Sequence, residues 1–296
     1  MLAPIQRLRW GVKWLLGANR GGRNFGILPD DTFVVSYPRS GNTWTRFLIA
    51  NMVWSKEIVT FTNIEGKIPD VCKNTKNQLR RIPRPRILKS HEYFDPRYEK
   101  VVYVVRDPRD VVVSYYHFHR KKRVIEDGYP MHVYVSRFIT GNLDEYASWK
   151  DNVASWLATR NGTSNFLLVR YEDLLKDPSG ELLRVAAFLG LSRTNAEIGR
   201  AVELSSADRM RKLEACQRDM WINTKKSRRD IPFVRGATSG GWESSLPKHL
   251  AAEIENAWGD TMQGLGYPLL RDLGKDSLLT RPAVNRSRVE TDIAVS

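Results

Sequence analysis

The stretch Thr32–Trp44, TFVVSYPRSGNTW, decides the fold of this 296-residue chain. Its apolar, β-branched start, Phe33–Val35, is typical of a buried strand. Pro38 ends that strand because proline cannot donate to a sheet ladder, and an apolar helical pattern begins at Trp44. A strand, a tight loop and a helix start together place free backbone N–H groups and the positive end of the helix dipole beside the loop. The sequence therefore predicts an anion-binding site at this loop.

The loop itself carries groups that suit an anion. Arg39 supplies a fork-shaped cation that matches phosphate or sulfate. Gly41 lets backbone approach a ligand closely, and Ser40 and Thr43 offer hydroxyl donors. A βα turn with polar caps is the alternative interpretation of these residues. The Walker pattern GxxxxGK[ST] is absent, since Asn42 follows the glycine, which disfavours a nucleoside triphosphatase.

The composition is that of a globular protein with an uneven positive charge. Hydrophobic residues make up 42% of the chain, with nine tryptophans, which is enough for a substantial core. The formal net charge is +14, and residues 76–123 hold 14 Lys and Arg against five Asp and Glu. Such a surplus attracts anionic ligands. Nucleic-acid binding is disfavoured as the main role because no nucleic-acid motif is visible.

Three segments are predicted: a basic N-terminal helix or extension over residues 1–29, one domain over residues 30–270, and a flexible C-terminal tail over residues 271–296. The basic helix either packs on the domain or makes weak peripheral contact with a membrane. No apolar run approaches the roughly 18 residues of a membrane span, and no signal peptide is indicated. Two cysteines, Cys72 and Cys216, are too few for a disulfide framework and fit a reducing compartment, with one bridge between them as the alternative. We therefore expect a cytoplasmic protein.

Strand-like and helical patterns alternate along the domain. The predicted strands are 32–37, 86–89, 100–106 and 166–171, and the predicted helices are 44–54, 111–118, 144–160 and 181–189. This alternation predicts an α/β fold with a central, mainly parallel sheet flanked by helices, whose ligands sit at the carboxyl ends of the strands. Segments 63–86 and 121–141 lack clear periodicity and are predicted to be long loops or lids over a site.

The stretch KVVYVVRDPRDVVVSYYHF, residues 100–118, is a strand followed by a helix start. Asp107 suits an N-cap and Pro108 suits the first helical turn. Arg106 and Ser114 are then expected to face one site. The alternative is a surface ion pair between Arg106 and a nearby aspartate.

The stretch LKSH, residues 88–91, ends a short strand with a histidine close to a lysine. Imidazole titrates near neutrality and can take a proton from a hydroxyl group. His91 is therefore a candidate general base, with Lys89 as a neighbouring cation. The alternative is a structural histidine whose hydrogen bonds are satisfied.

The loop stretch YPRSGNTW resembles the YPKSGTTW signature of the sulfotransferases that use 3′-phosphoadenosine 5′-phosphosulfate (PAPS). The family usually has Lys where this chain has Arg39, and Thr where it has Asn42. The resemblance covers about residues 30 to 267. It implies a P-loop-like domain, with lids over an acceptor site, that transfers sulfonate from PAPS to a hydroxyl or amine acceptor without a metal. It also implies that the donor is held by Arg39, Ser40, Gly41, Asn42, Thr43 and Trp44, the last by stacking on adenine.

Two further stretches extend the resemblance. Arg106 and Ser114 match the Arg and Ser, eight residues apart, that bind the donor's 3′-phosphate in that family. Lys-Ser-His resembles the family's Lys-Thr-His, whose histidine is the catalytic base and whose lysine contacts the sulfonate. The resemblance thus implies catalytic roles for His91, Lys89 and Arg39.

Softer matches complete the implied donor site. Tyr171, in VRYED, matches a tyrosine that contacts adenine, and Ser205, in LSSA, falls in a match to Thr-Ser-Phe, which lines the purine. FVRGATSGGW, residues 233–242, resembles the RKGxxGDW loop that closes over the 3′-phosphate. Arg235 and Gly236 are the predicted contacts there. A gapless alignment instead puts the family's Lys on Gly236, so the atoms that touch phosphate are left open.

Two other classes stay open at this point. A P-loop-related nucleotide kinase should need a lysine after the loop glycine and a carboxylate for Mg²⁺, and neither arrangement is visible. A non-catalytic polyanion-binding protein would keep its activity when His91 is replaced. The acceptor is predicted to be a small molecule or lipid with a hydroxyl group, chosen by the two segments without periodicity. A homodimer is a further expectation.

Overall fold

The computed structural model describes residues 21–273, and these contain a parallel sheet. Its strands are β1 (Thr32–Ser36), β2 (Ile87–Ser90), β3 (Lys100–Val105) and β4 (Phe166–Arg170). They pair in the order β2-β1-β3-β4, and each pairing is parallel. The predicted α/β sheet is confirmed, and each strand end lies within one residue of its predicted position.

Helices connect β1 to β2 and β3 to β4, and the remaining helices follow β4. In chain order they are α1 (Asn42–Val53), α2 (Ile64–Lys67), α3 (Lys76–Arg80), α4 (Pro108–Lys121), α5 (Met131–Ile139), α6 (Trp149–Arg160), α7 (Tyr171–Lys176), α8 (Pro178–Leu189), α9 (Asn195–Leu204), α10 (Ala207–Gln217), α11 (Trp242–Ser245), α12 (Lys248–Gly264) and α13 (Leu270–Leu273).

The prediction of long loops at 63–86 and 121–141 is wrong in part. The first segment contains α2 and α3, and the second contains α5. Each of these helices is short, so few turns show the helical period in the sequence. α5 is nine residues long and buries Tyr134, Val135 and Phe138. Tertiary packing, more than intrinsic propensity, stabilises such a short helix.

Alternation along the strands builds a core on each face of the sheet. On β1, Phe33 and Val35 join the core formed with α4, α5, α6 and α12. Val34, between them, joins the opposite core formed with α1, α8, α9 and α10. β1 is buried along its whole length, as is typical of a parallel strand covered on both sides.

The order of the connections opens a crevice between β1 and β3. The chain leaves β1 for α1 on one face of the sheet and leaves β3 for α4 on the other face. Neighbouring parallel strands whose connections go to opposite faces form a switch point, where α/β sheets bind ligands. Asp107 caps α4 by accepting a hydrogen bond from the backbone N–H of Arg109, which confirms the predicted helix start.

Neither predicted terminal segment lies fully within the described residues, since residues 1–20 and 274–296 fall outside them. The N-terminal helix and most of the C-terminal tail therefore stay predictions. In the part of the chain that the structure describes, no helix combines the length and the apolar character that crossing a bilayer requires.

Candidate active site

A cavity of about 860 Å³ lies at the carboxyl ends of the strands. Each strand contributes a lining residue within two positions of its end, and these are Pro38, His91, Arg106 and Tyr171. This volume is in the upper part of the range of about 300–1,000 Å³ for ligand sites. The predicted site residues that line it are Arg39, Gly41, Asn42, Thr43, Trp44, Lys89, His91, Arg106, Ser114, Tyr171, Arg235 and Gly236. The structure does not bring the other two, Ser40 and Ser205, to the cavity wall; both are fully buried.

The loop after β1 presents backbone to the cavity. Gly41 has a φ of 94° and precedes α1, which has no side-chain cap. The N–H groups of the first helical turn are therefore available to a ligand. The Asn42 amide donates to the Val34 carbonyl at 3.2 Å and to Ser36 Oγ at 3.1 Å. Its side chain thus fastens the loop to β1 instead of facing the cavity.

The Tyr171 ring lies so close to position 41 that only glycine fits there. A Cβ at this position would lie 2.3 Å from Cδ2 of Tyr171. Tyr171 is the first residue of α7, one residue beyond the strand to which the sequence pattern assigned it. The glycine lets the anion loop and the aromatic ring pack together.

We expect Gly41→Ala to destabilise the fold more than Gly190→Ala. Both glycines have positive φ, at 94° and 75°, but only Gly41 faces a ring, since a Cβ on Gly190 would meet nothing within 4 Å. Backbone strain costs about 1–3 kcal/mol in each case, and the Tyr171 clash adds to it for Gly41. Urea unfolding of the two variants measures the difference, and equal losses would contradict the proposed packing.

Arg39 is held between two aromatic rings. Its guanidinium lies 4.8 Å from the Phe118 centroid and 4.7 Å from the Phe233 centroid. Arg39 Nε donates to Ser114 Oγ at 3.1 Å, and Nη2 donates to the Phe233 carbonyl at 3.3 Å. The loop after β1, α4 and the 233–242 loop therefore meet at this one side chain. Sequence reasoning did not identify the two rings as its clamp.

Arginines gather at this end of the cavity. Arg106 lies over the Tyr171 ring at 4.4 Å and 3.6 Å from Asp110, and its Nε is buried without a hydrogen-bond partner in residues 21–273. Burial, then the charges of Arg106 and Arg235, lowers the pKa of Arg39 to about 10. Burial and Arg106 also lower the pKa of Arg235. Cations that repel one another, with an orphaned donor among them, fit a strongly anionic ligand.

Asp110 ties the 233–242 loop to the cavity. Its carboxylate accepts hydrogen bonds from the backbone N–H of Gly240 and of Trp242, both at 2.9 Å. Arg106 Nη2 donates to the Thr238 carbonyl at 3.0 Å. The alternative of an Arg106 ion pair is thus present in the structure, but the same groups also close a loop over the cavity. Asp110 was missed as an anchor because its partners lie 130 residues downstream.

An aromatic pair forms the wall next to the arginines. The Trp44 and Tyr171 rings meet edge to face with centroids 5.8 Å apart. Trp44 Nε1 donates to the Ser205 carbonyl at 2.9 Å, and Asn51 Nδ2 donates to Ser205 Oγ at 3.0 Å. Ser205 thus positions Trp44 from behind. Met210, which sequence reasoning missed, lines the cavity.

His91 has a defined tautomer. Its Nδ1–H donates to the Ser36 carbonyl at 2.7 Å, since a carbonyl oxygen can only accept, and the lone pair is left on Nε2. Burial, and then the ammonium of Lys89, holds the pKa of His91 well below its usual 6.5. Lys89 Nζ donates to Asp70 Oδ2 at 2.7 Å, and both side chains are buried. The site therefore holds a neutral imidazole beside a fixed ammonium.

Several lining residues lie in the segments that showed no periodicity. They are Asp70, Lys73, Lys122 and Val124. A second histidine, His119, also lines the cavity, and burial, then Arg137 and Arg39, lowers its pKa to about 4. In residues 21–273 no group of three or more His, Cys, Asp and Glu side chains is placed to hold a metal ion.

Comparisons with known proteins agree with this arrangement. The sulfotransferase domain family model matches residues 29–266. A 3-beta-hydroxysteroid sulfotransferase of Cavia porcellus is 29% identical over 256 residues, which cover 82% of this chain and 87% of the relative. Sulfotransferase 1A1 of Rattus norvegicus is 29% identical over 245 residues, covering 76% of this chain and 81% of the relative.

Solved structures show the same fold. Mouse sulfotransferase SULT7A1, complexed with PAP, superposes with a TM-score of 0.65 at 27% identity over 84% of this chain and 90% of that one. Retinol dehydratase, in complex with androsterone and PAP, gives a TM-score of 0.69 at 22% identity over 85% of each chain. The predicted P-loop-like fold is confirmed, and the kinase and polyanion-binding alternatives are set aside. The chain belongs to the sulfotransferase family, and it is a transferase enzyme.

Proposed function

We propose that this sulfotransferase moves the sulfonate group of PAPS to a hydroxyl group of a small-molecule acceptor, with His91 as the general base. The observation that carries the proposal is the Nε2 lone pair of His91, at a cavity wall shared with the anion loop. PAP (adenosine 3′,5′-bisphosphate), bound in the mouse relative, is the product that PAPS leaves after transfer. It therefore supports PAPS as the donor.

The proposed donor contacts come from the arginine cluster and from the aromatic pair beside it. Arg106, Ser114 and the Arg235–Gly236 stretch are the proposed partners of the 3′-phosphate, because they surround the arginine-rich end of the cavity. Trp44 and Tyr171 offer ring surfaces for adenine. The backbone N–H groups that follow Gly41 hold the 5′-phosphate at the start of α1. The buried, unpartnered Nε of Arg106 supports this fit, since a phosphate oxygen is the acceptor it lacks.

The transfer requires one base and stabilised negative charge. A bond forms between the acceptor oxygen and sulfur while the bond from sulfur to the 5′-phosphate oxygen breaks. The acceptor's proton passes to His91 Nε2, and the electron pair of the broken bond remains on PAP. Arg39 and Lys89 are fixed cations that stabilise the charge gathering on the leaving oxygen and the sulfonyl group. Asp70 anchors Lys89 by an ion pair at 2.7 Å, so little reorganisation is needed.

The remaining predictions concern the cellular location, the acceptor range and the oligomeric state of the enzyme. We propose a cytoplasmic location, supported by Cys72 and Cys216, which are both unpaired and so fit a reducing compartment. A lipophilic or lipid alcohol stays within the proposed acceptor range. The homodimer stays a prediction.

A screen for labelled sulfate transfer tests the function directly. Purified protein is incubated with PAPS labelled in the sulfonate and with a library of phenols, steroids, aliphatic alcohols and hydroxy acids. Labelled products that depend on both enzyme and acceptor support the proposal. A library in which no acceptor gains label would contradict it.

PAP is expected to raise the melting temperature of the protein in the presence of excess chelator. At a hundredfold excess over its Kd, a ligand that binds only the folded state adds about 2.7 kcal/mol, or roughly 5–10 °C for a chain of this size. Thermal-shift titrations with PAP, with and without chelator, measure donor affinity and metal independence together. No shift at millimolar PAP would rule out the donor site, and a shift abolished by chelator would show that a metal is required.

A further inference from the structure

The cations at the His91 end of the cavity differ in whether they have a carboxylate partner. Arg46, which lines this end, pairs with Glu65 at 3.0 Å. Lys89 pairs with Asp70 at 2.7 Å. Each of these two cations thus has a carboxylate partner within the protein, so neither carries a charge that an acceptor is needed to balance.

Two lysines of the same cavity are not balanced in this way. Lys73 and Lys122 line it, and in the described range 21–273 neither forms a salt bridge. Both side chains are partly buried. Lys73 follows the Asp70 bridge to β2, whereas Lys122 is the C-cap of α4, so the two ammonium groups approach from different elements. Burial, and then the charge of Lys73, lowers the pKa of Lys122, which is expected of two cations that share a site without an anion.

Both lysines belong to the acceptor end. Lys73 is among the charges that lower the pKa of His91, so its ammonium lies near the proposed base. Lys122 Nζ lies 6.0 Å from the Phe118 centroid, and the charge of Lys73 lowers its pKa, so the two ammonium groups share one part of the cavity. The donor's own charges already have partners in the arginine cluster and Lys89. Two ammonium groups therefore remain for the second substrate.

The walls beside these lysines are apolar. Phe118, Val124 and Ile222 line the cavity, and Val124 and Ile222 are 62% and 40% exposed in this structure. A purely hydrophilic acceptor would leave these groups without contact. The surroundings fit a molecule with an apolar body and an acidic group.

We propose that the acceptor is an acidic alcohol or phenol whose anionic group, a carboxylate or a sulfate ester, is bound by Lys73 and Lys122 while its hydroxyl group faces His91. This inference rests on the proposed function and narrows its acceptor class. A uniformly apolar acceptor would cover two partly buried ammonium groups without pairing them, which is costly. The lysines thus select for acidic acceptors and against their neutral esters.

The test compares acceptors that differ only in charge. They are 3-(4-hydroxyphenyl)propionate, its methyl ester, and 2-(4-hydroxyphenyl)ethyl sulfate. For the wild type we expect kcat/KM to be at least about tenfold higher for an acid than for the ester, since hydrogen bonds to charged groups are the strong ones. The sulfate arm shows which anion is preferred. The preference is expected to shrink at high salt, which screens partly exposed charges.

Variants then assign the preference to the two lysines. Lys73→Gln and Lys122→Gln are each expected to reduce the acid-to-ester ratio about tenfold, and Lys73→Arg and Lys122→Arg to retain most of it. Lys150→Gln is the matched control, because Lys150 is exposed on α6 and is not a cavity residue. If a Gln variant does not fold, the wild-type ratio and its salt dependence decide the question.

The outcomes separate this inference from the function on which it rests. Transfer to the ester at a rate equal to or above that of both acids overturns the inference and leaves the sulfotransferase function in place. Gln variants with an unchanged ratio also overturn it. The absence of transfer to every acceptor in the library overturns the proposed function itself.

Discussion

Alanine in place of His91 is expected to lower kcat by about 10²–10⁴-fold, the usual loss when a general base is removed. The reason is the tautomer: Nδ1–H donates to the Ser36 carbonyl at 2.7 Å, so Nε2 is the atom that can accept a proton. PAP affinity should change little, because that proton belongs to the acceptor and not to the donor. Steady-state kinetics with a substrate from the library screen, together with calorimetry of PAP binding, measure the two effects separately.

His119 supplies the matched control for this experiment. It lines the same cavity and is also buried, but its Nδ1 lies 3.0 Å from the Tyr134 hydroxyl. We expect His119→Ala to retain far more turnover than His91→Ala. A His91→Ala enzyme that kept more than about a tenth of the turnover, a loss below the range for a general base, would remove His91 from that role. A large loss on changing His119 would then make His119 the base.

The pH profile provides an independent check on His91. Its pKa in the folded protein lies well below 6.5 because of burial and then the Lys89 charge. The neutral, proton-accepting form is therefore retained as the pH falls through 6.5 and is lost only at lower pH. We expect kcat/KM to be flat between neutrality and pH 6.5, with its acidic limb below that value. An acidic limb centred above 6.5 would show that the imidazole is not held neutral by its surroundings.

The sheet and its loops were accessible to sequence reasoning because their signals are local. Strand β1, the turn at Pro38 and the helix after Gly41 form one continuous pattern, and the structure has the strand and helix ends within two residues of their predicted positions. The caps of α4 and α8 also follow from local signals: the Asp107 side chain accepts a hydrogen bond in the first turn of α4, and Gly190 ends α8 with a positive φ of 75°. Parallel order then gathers the strand ends, so Arg106 and His91 could be placed in one site before any contact was known.

The long-range contacts that fix the side chains of the site could not be predicted from local sequence patterns. Asp70 meets Lys89 only because residues 69–71 return beside β2, and nothing in the local pattern marks that return. The Arg39 clamp needs Phe233, which lies 194 residues away in the chain. Ser205 is a different case: a motif match implied a purine contact, and the structure shows its hydroxyl accepting a hydrogen bond from Asn51 behind the wall. The sequence identified which residues belong near the site, whereas the direction of each side chain depends on tertiary packing.

Replacing Arg106 by alanine is expected to weaken PAP binding about 10–150-fold, which corresponds to about 1.5–3 kcal/mol for hydrogen bonds to a charged group. Arg106 lies at the carboxyl end of β3, over the Tyr171 ring, and has a buried Nε with no partner in the described part of the chain. A phosphate is the acceptor that satisfies it. Adenosine 5′-phosphate, which lacks the 3′-phosphate, should lose much less affinity, and calorimetry with both nucleotides measures the difference.

The comparison of the two nucleotides is needed because Arg106 also has a structural part. Its Nη2 donates to the Thr238 carbonyl at 3.0 Å, so removing it loosens the 233–242 loop, and that effect weakens both ligands. Only the additional loss for PAP reports contact with the 3′-phosphate. Arg170 is the matched control: it ends β4, lies over Tyr267 at 4.8 Å and is not a cavity residue. Arg170→Ala should leave both affinities nearly unchanged. If Arg106→Ala weakened the two nucleotides equally, its role would be confined to holding the loop, and the 3′-phosphate would have to be assigned to Arg235.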